Sequence, residues 1–296
     1  MKWQNSRRSS NIEDRQSNSF SNAGSTRGSA MALLPIIKFL LGSSIGRVIL
    51  GIGVIAYFMG YNPLALLDMG NSHQVSNQTI NHTKPNINNE QTQFVSAVLA
   101  QTEDVWSTIF TKHNAKYKEP KLVLFKNKVN SGCGFASSQT GPFYCPADQK
   151  VYLDTSFFDS LASRHNAPGD FAQGYVIAHE IGHHIQKLTG TLDKVHKLKQ
   201  KLSKTKQNAL QVKVELQADC YAGIWANYLQ KKGNILEDGD INEALRAASA
   251  IGDDTLQKQA RGYVVPDSFT HGSASQRQAW FRRGLKYGTI SACNTF

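Results

Sequence analysis

Polar and apolar positions divide this chain into unlike parts. Residues 1–30 are rich in Ser, Asn, Gly and charged side chains, a composition that buries little, and they are expected to form a disordered basic tail. Residues 31–60 contain ALLPIIKFLLGSSIGRVILGIGVIAYFM, apolar almost throughout and broken by Lys38 and Arg47. A helix from about Phe39 to Met59 spans a hydrocarbon layer of roughly 30 Å, so this segment is expected to be a single transmembrane helix. Arg47 opposes insertion by about 2.5–3.5 kcal/mol, which the surrounding Leu, Ile and Val can offset. A buried helical hairpin is the soluble alternative, and a signal peptide fits less well behind so long a polar tail. Residues 61–91, with NSHQVSNQTINHTKPNINNE, read as a polar linker, in which N-x-S/T matches fall at Asn77 and Asn81.

The folded part is expected over 92–296. Phe94, Val98, Val105, Trp106, Ile109 and Phe110 recur at helical spacing, with Leu99 widening the stripe. KLVLF at 121–125 and KVYLD at 150–154 read as short strands. Asp170 to Leu188 and Val214 to Leu229 read as buried helices. Further helices are expected from Asp238 or Asp240 through Ile251 and from Ser273 to Leu285. The pattern predicts an α+β fold, mainly helical with a small sheet, preceded by one transmembrane helix.

The net charge of +11 is unevenly placed. Lys2, Arg7, Arg8, Arg15 and Arg27 outweigh Glu13 and Asp14 before the apolar run, which predicts a cytoplasmic N-terminus and an external folded domain. Lys194, Lys197, Lys199, Lys201, Lys204, Lys206 and Lys213 form a second basic stretch. It has few aromatics and no recognisable nucleic-acid module, so no nucleic-acid partner is expected. A solvated helix face is its plain reading, and contact with anionic lipid or the cell envelope its functional one.

His179-Glu180-Ile181-Gly182-His183 matches H-E-x-x-H inside the helix expected over 170–188. Residues 179 and 183 lie one turn apart on one face, so both imidazoles can converge on one zinc ion, with Glu180 beside them as general base. A third ligand is needed if one position is to stay open for water. Glu215 on the later helix is the candidate, and Asp219 one turn on can fix the tautomer of a ligating His. His184 and His271 are the rival third ligands.

These blocks carry a resemblance. The chain is similar to the gluzincin class of zinc peptidases, which share HExxH and a later E-x-x-[AS]-D. More closely it resembles a bacterial family of neutral zinc metallopeptidases described as membrane-tethered. The resemblance lies in the opening MKWQ with IEDR, in SGCG…GPFYCPADQKVYLD at 131–154, AHEIGHHIQ at 178–186, ELQADCYAG at 215–223 and HGSASQRQAWFRRG at 271–284. It implies a zinc-dependent hydrolase with His179, His183 and Glu215 as ligands and Glu180 as catalytic base. A bacterial inner-membrane location follows, with the catalytic domain periplasmic or extracellular. The expected partners are a peptide or protein substrate and the lipid bilayer. The alternative is a catalytically inactive, zinc-stabilised binding or envelope-structural domain.

An oxyanion stabiliser is also expected, with His271 the candidate and Arg277 and Tyr144 the alternatives. The four cysteines allow three pairings. Proximity favours Cys133 with Cys145, leaving Cys220 for Cys293, and such bridges require an oxidising compartment. A cysteine-based zinc site is the weaker reading, since 133 and 145 do not form a knuckle.

Overall fold

The computed structural model describes residues 1–16, 89–233 and 235–296. In chain order these form β1 (Ile12–Asp14), α1 (Glu90–Lys112), β2 (Lys121–Phe125), β3 (Lys128–Ser131), β4 (Gly134–Ser137), β5 (Phe143–Cys145) and β6 (Lys150–Asp154). Eight helices in all are described, the others being α2 (Ser156–Ser163), α3 (Asp170–Leu188), α4 (Thr191–Lys199), α5 (Lys204–Lys232), α6 (Asp240–Ala250), α7 (Asp253–Arg261) and α8 (Ala274–Tyr287).

The main sheet runs β1-β2-β6-β5, parallel except for the last pair. Leu122 pairs with Ile12 on one side and Val151 on the other. Strands covered on both faces read as unbroken apolar runs, and β2 is such a strand. Leu122 and Leu124 face the helices, whereas Val123 and Phe125 pack with Val129 and Ala136 of the β3–β4 hairpin. Cys133 is bonded to Cys145, which ties the hairpin turn to β5.

On the helical side, α3 and α5 approach closely enough that a Cβ on Gly182 would lie 3.0 Å from the Ala218 Cα. Glycine inside HExxH therefore lets the two site-bearing helices meet. α8 crosses α5 just as tightly, since a Cβ on Gly284 would overlap the Cys220 carbonyl oxygen at 1.9 Å. Phe171 stacks on Trp225 and Tyr175 meets Phe281 edge-on, filling the space between these three helices. The Cys220–Cys293 disulfide fastens the C-terminal turn to α5.

Residues 1–16 depart from the disordered tail expected of them. Met1 and Trp3 are buried, Trp3 packs on Phe94, and Arg7, Ser9 and Asn11 converge on the buried Glu103 of α1. The tail reads as polar because its few apolar residues are widely spaced, while Arg7 and Glu13 find partners far along the chain in the domain.

Packing of the tail also corrects the expected membrane topology. The predicted span at 31–60 lies outside the described residues. Among the described residues, no helix is long and apolar enough to cross a membrane, because the three longest carry charged and amide side chains along their length. Moreover, β1 precedes that segment and β2 follows it, yet the two are hydrogen-bonded neighbours. One crossing between them would put paired strands on opposite sides of a bilayer. The single-pass anchor, the cytoplasmic N-terminus with an external catalytic domain, the inner-membrane location and the bilayer as partner are therefore withdrawn.

The Met1 ammonium is fully buried and ion-paired to Asp170 at 2.8 Å, Glu237 at 3.1 Å and Asp240 at 3.2 Å. Burial alone would lower its pKa, but the bonds to Asp170 and Glu237 outweigh that and raise it from 8.0 to about 10. A raised folded-state value contributes stability below about pH 8 that disappears as pH climbs through about 10. Asp170→Asn/Asp240→Asn should accordingly flatten the fall in stability between these limits in urea titrations. A slope equal to that of the unsubstituted chain would refute the assignment.

Candidate metal centre

α3 presents His179, Glu180 and His183 to a cleft of about 670 Å³, and α5 brings Glu215 to the same wall. His271, Tyr144 and Arg277 also line it. The donor atoms of His179, His183 and Glu215 all lie within 4.8 Å of one another. Glu215 Oε2 is 3.2 Å from His179 Nε2 and 3.4 Å from His183 Nε2. Ligands about 2.0–2.1 Å from one tetrahedral ion stand roughly 3.3 Å apart, so both separations suit a shared metal.

Each of these three side chains is held from behind. Asp219 Oδ1 lies 2.8 Å from His179 Nδ1, which fixes the proton on Nδ1 and leaves the Nε2 lone pair for a metal. Gln186 Oε1 does the same for His183 Nδ1 at 2.8 Å. The orientation of that amide is set in turn, because its Nε2 donates to the Val214 carbonyl and to Gln217 Oε1. Gln211 Nε2 donates to Glu215 Oε1 at 2.7 Å, so Oε2 is the oxygen left facing the imidazoles.

Asp219 is itself clamped. Arg277 donates through Nε to Oδ2 at 2.9 Å and through Nη2 to Oδ1 at 2.8 Å, while the Tyr175 hydroxyl donates to Oδ1. Burial would raise the Asp219 pKa, but the Arg277 charge overrides it and holds it near 2. The imidazoles and the acids also shift one another. Burial disfavours an imidazolium at His179, yet Asp219 raises its pKa to about 9. His183 is raised chiefly by Glu215, and Glu215 is held well below the ordinary carboxylate range by the two imidazoles, in each case against burial.

The other sequence candidates separate by geometry. His184 donates from Nε2 to the Lys118 carbonyl and accepts the Tyr144 hydroxyl at Nδ1, and burial lowers its pKa to about 4. It is a neutral core residue, and the single Tyr144 proton is committed to it. Arg277 is buried and fully engaged, unsuited to meeting a substrate oxygen. His271 is half exposed, with Nδ1 at 3.2 Å from Asp253 Oδ1. Asp253 Oδ2 accepts the backbone N–H groups of Thr270, His271 and Gly272, which fixes this turn at the cleft. All four cysteines are disulfide-bonded, so none can hold zinc.

A second group of acids, Asp170, Asp240 and Glu243, is also tight enough to hold a cation. Its place is taken by the Met1 ammonium on Asp170 and Asp240, and by the Phe171 N–H on Glu243.

The model of the family described as "Putative neutral zinc metallopeptidase" matches residues 1–296. The chain belongs to that family. This zinc metallopeptidase family member is 46% identical over 296 residues to the uncharacterised protein YpfJ of Escherichia coli (strain K12), covering 100% of this chain and 99% of the relative. It is 45% identical over 190 residues to the uncharacterised protein Rv2575 of Mycobacterium tuberculosis (strain ATCC 25618 / H37Rv), covering 61% of this chain and 63% of the relative. No solved structure matches it. Family membership thus stands without the membrane tether.

Proposed function

We propose that this chain is a zinc-dependent peptidase, with His179, His183 and Glu215 as ligands, Glu180 as catalytic base and His271 as oxyanion stabiliser. The observation that carries the reading is the convergence of two tautomer-fixed imidazoles and one carboxylate oxygen at separations of 3.2 and 3.4 Å, beside an open cleft. Two His and one carboxylate is a donor set of catalytic zinc sites, which leave a position free. When bound, the ion supplies Lewis-acid chemistry that acidifies water and polarises a carbonyl. Glu180 takes the proton of the attacking water and returns it to the departing amine. His271, steadied by Asp253, donates a hydrogen bond to the developing oxyanion. A metal-stabilised domain without catalysis has no need of a cleft running past its metal ligands, which favours the peptidase.

Metal analysis of the purified chain should give about one zinc, with Glu215→Ala losing it, because structural and catalytic zinc sites need three protein ligands at least. Treatment with 1,10-phenanthroline should abolish hydrolysis of a mixed peptide pool, and zinc should restore it. Unchanged zinc in Glu215→Ala would sink the ligand assignment.

A further inference from the structure

The lysine run across α4 and the start of α5 has one member unlike the rest. Lys194, Lys197, Lys201, Lys204, Lys206 and Lys213 are exposed, whereas Lys199 is half-buried and lines the cleft. Its Nζ donates to Gln211 Oε1, the same glutamine whose Nε2 holds Glu215. An ammonium has three donors, and this partner uses one. No ion pair of Lys199 is formed among the described residues, and burial pushes its pKa down. Both facts describe a cation short of an anion.

Charge balance in the cleft leads the same way. Glu180 and Glu215 would offset a bound divalent ion, and Asp219 is neutralised by Arg277. Lys199 is then the uncompensated charge. From its Nζ to Glu215 is at most the span of one amide and two hydrogen bonds, on the order of 7 Å, which is no more than about two residues of extended peptide. Apolar walls from Phe143, Phe157, Leu192 and Val195 flank the space. They strengthen any charge pairing made inside it.

We propose that Lys199 determines specificity, and that the substrates are peptides carrying a carboxylate within about two residues of the scissile bond, either a free C-terminus or an Asp or Glu side chain. The proposal rests on the peptidase reading above.

The test measures binding to the zinc-loaded full chain carrying Glu180→Gln, so that no turnover is required. Three dansylated peptides share one neutral core: one ends in a free carboxylate, one in an amide, and one in an amide with Glu beside the scissile position. At least one carboxylate peptide should bind about tenfold tighter than the neutral amide, roughly 1.4 kcal/mol. Which of them does so names the source of the carboxylate. The ratio should fall to about one in Lys199→Met and survive in Lys199→Arg, as a charge-assisted contact requires. Equal binding of all three, or a preference that persists in Lys199→Met, overturns the proposal. Loss of zinc from Lys199→Met with the ratio unchanged also overturns it, leaving Lys199 only a support for Gln211 and Glu215. Binding without carboxylate preference defeats the Lys199 assignment alone. Failure of every peptide to bind a chain that retains zinc defeats the peptidase reading with it.

Discussion

Glu180→Gln is expected to keep its zinc and its fold while lowering kcat by about 10²–10⁴. Glu180 is no member of the three-residue donor cluster, so exchanging its carboxylate for an amide of the same shape leaves the metal's partners in place. What the amide lacks is a basic oxygen for the proton of the attacking water. KM should move little, since no residue of the donor cluster is altered and the amide keeps the shape of the Glu180 side chain at the cleft wall. Thermal denaturation, zinc content and hydrolysis of one peptide should be measured on the same preparation. A variant within a few-fold of the unsubstituted rate, with zinc retained, would remove Glu180 as base. Silence of both proteins toward a broad peptide pool would favour a metal-stabilised domain without catalysis.

Much of the site was legible because helical periodicity is local. His179 and His183 are one turn apart, and Asp219 is one turn beyond Glu215, so their shared faces follow from the period alone. Gln186 and Gln211 obey the same rule, three residues after His183 and four before Glu215, and were readable in principle. Glutamine draws no attention because it neither binds zinc strongly nor titrates. In the sequence Lys199 is one member of a basic run, and nothing in its neighbours distinguishes it. Its position depends on how α4 turns after Gly190 and packs against α5. The roles of Arg277 and Tyr144 were open for a similar reason. Both line the cleft, and only the partners of their polar atoms show one engaged with Asp219 and the other with His184.

The N-terminal segment is placed by residues far apart in sequence. β1 is three residues long and its partner lies beyond a hundred intervening positions, so no window could pair Ile12 with Leu122. Without that pairing, the positive charge of the tail reads as a topological signal. Its Arg7 is in fact satisfied by Glu103 and Asp104, and its Arg15 by Glu13. Positive charge preceding an apolar run specifies orientation only when those charges are free of the downstream domain.

Arg277→Met should destabilise the chain by about 3–5 kcal/mol, the cost of leaving one member of a buried ion pair alone. Arg277 is 2% exposed and Asp219 is fully buried, so water cannot replace the lost guanidinium. Without it Asp219 keeps only the Tyr175 hydroxyl and His179, and its pKa must rise from near 2. The depressed value contributes stability above the unfolded carboxylate range that is lost as pH falls toward about 2. Arg277→Met should therefore unfold at higher pH on the acid side. Because the single variant can fail to fold, Asp219→Asn/Arg277→Met carries the sharper expectation. Removing both charges should recover much of the stability, since no unpaired ion remains. Zinc affinity should still fall about 10–100-fold, because a neutral amide can accept the Nδ1 proton but raises the basicity of His179 less than a carboxylate does. A double variant that regains both stability and affinity would make the pair an ordinary core ion pair, and the orientation of His179 would then have to come from α3 alone.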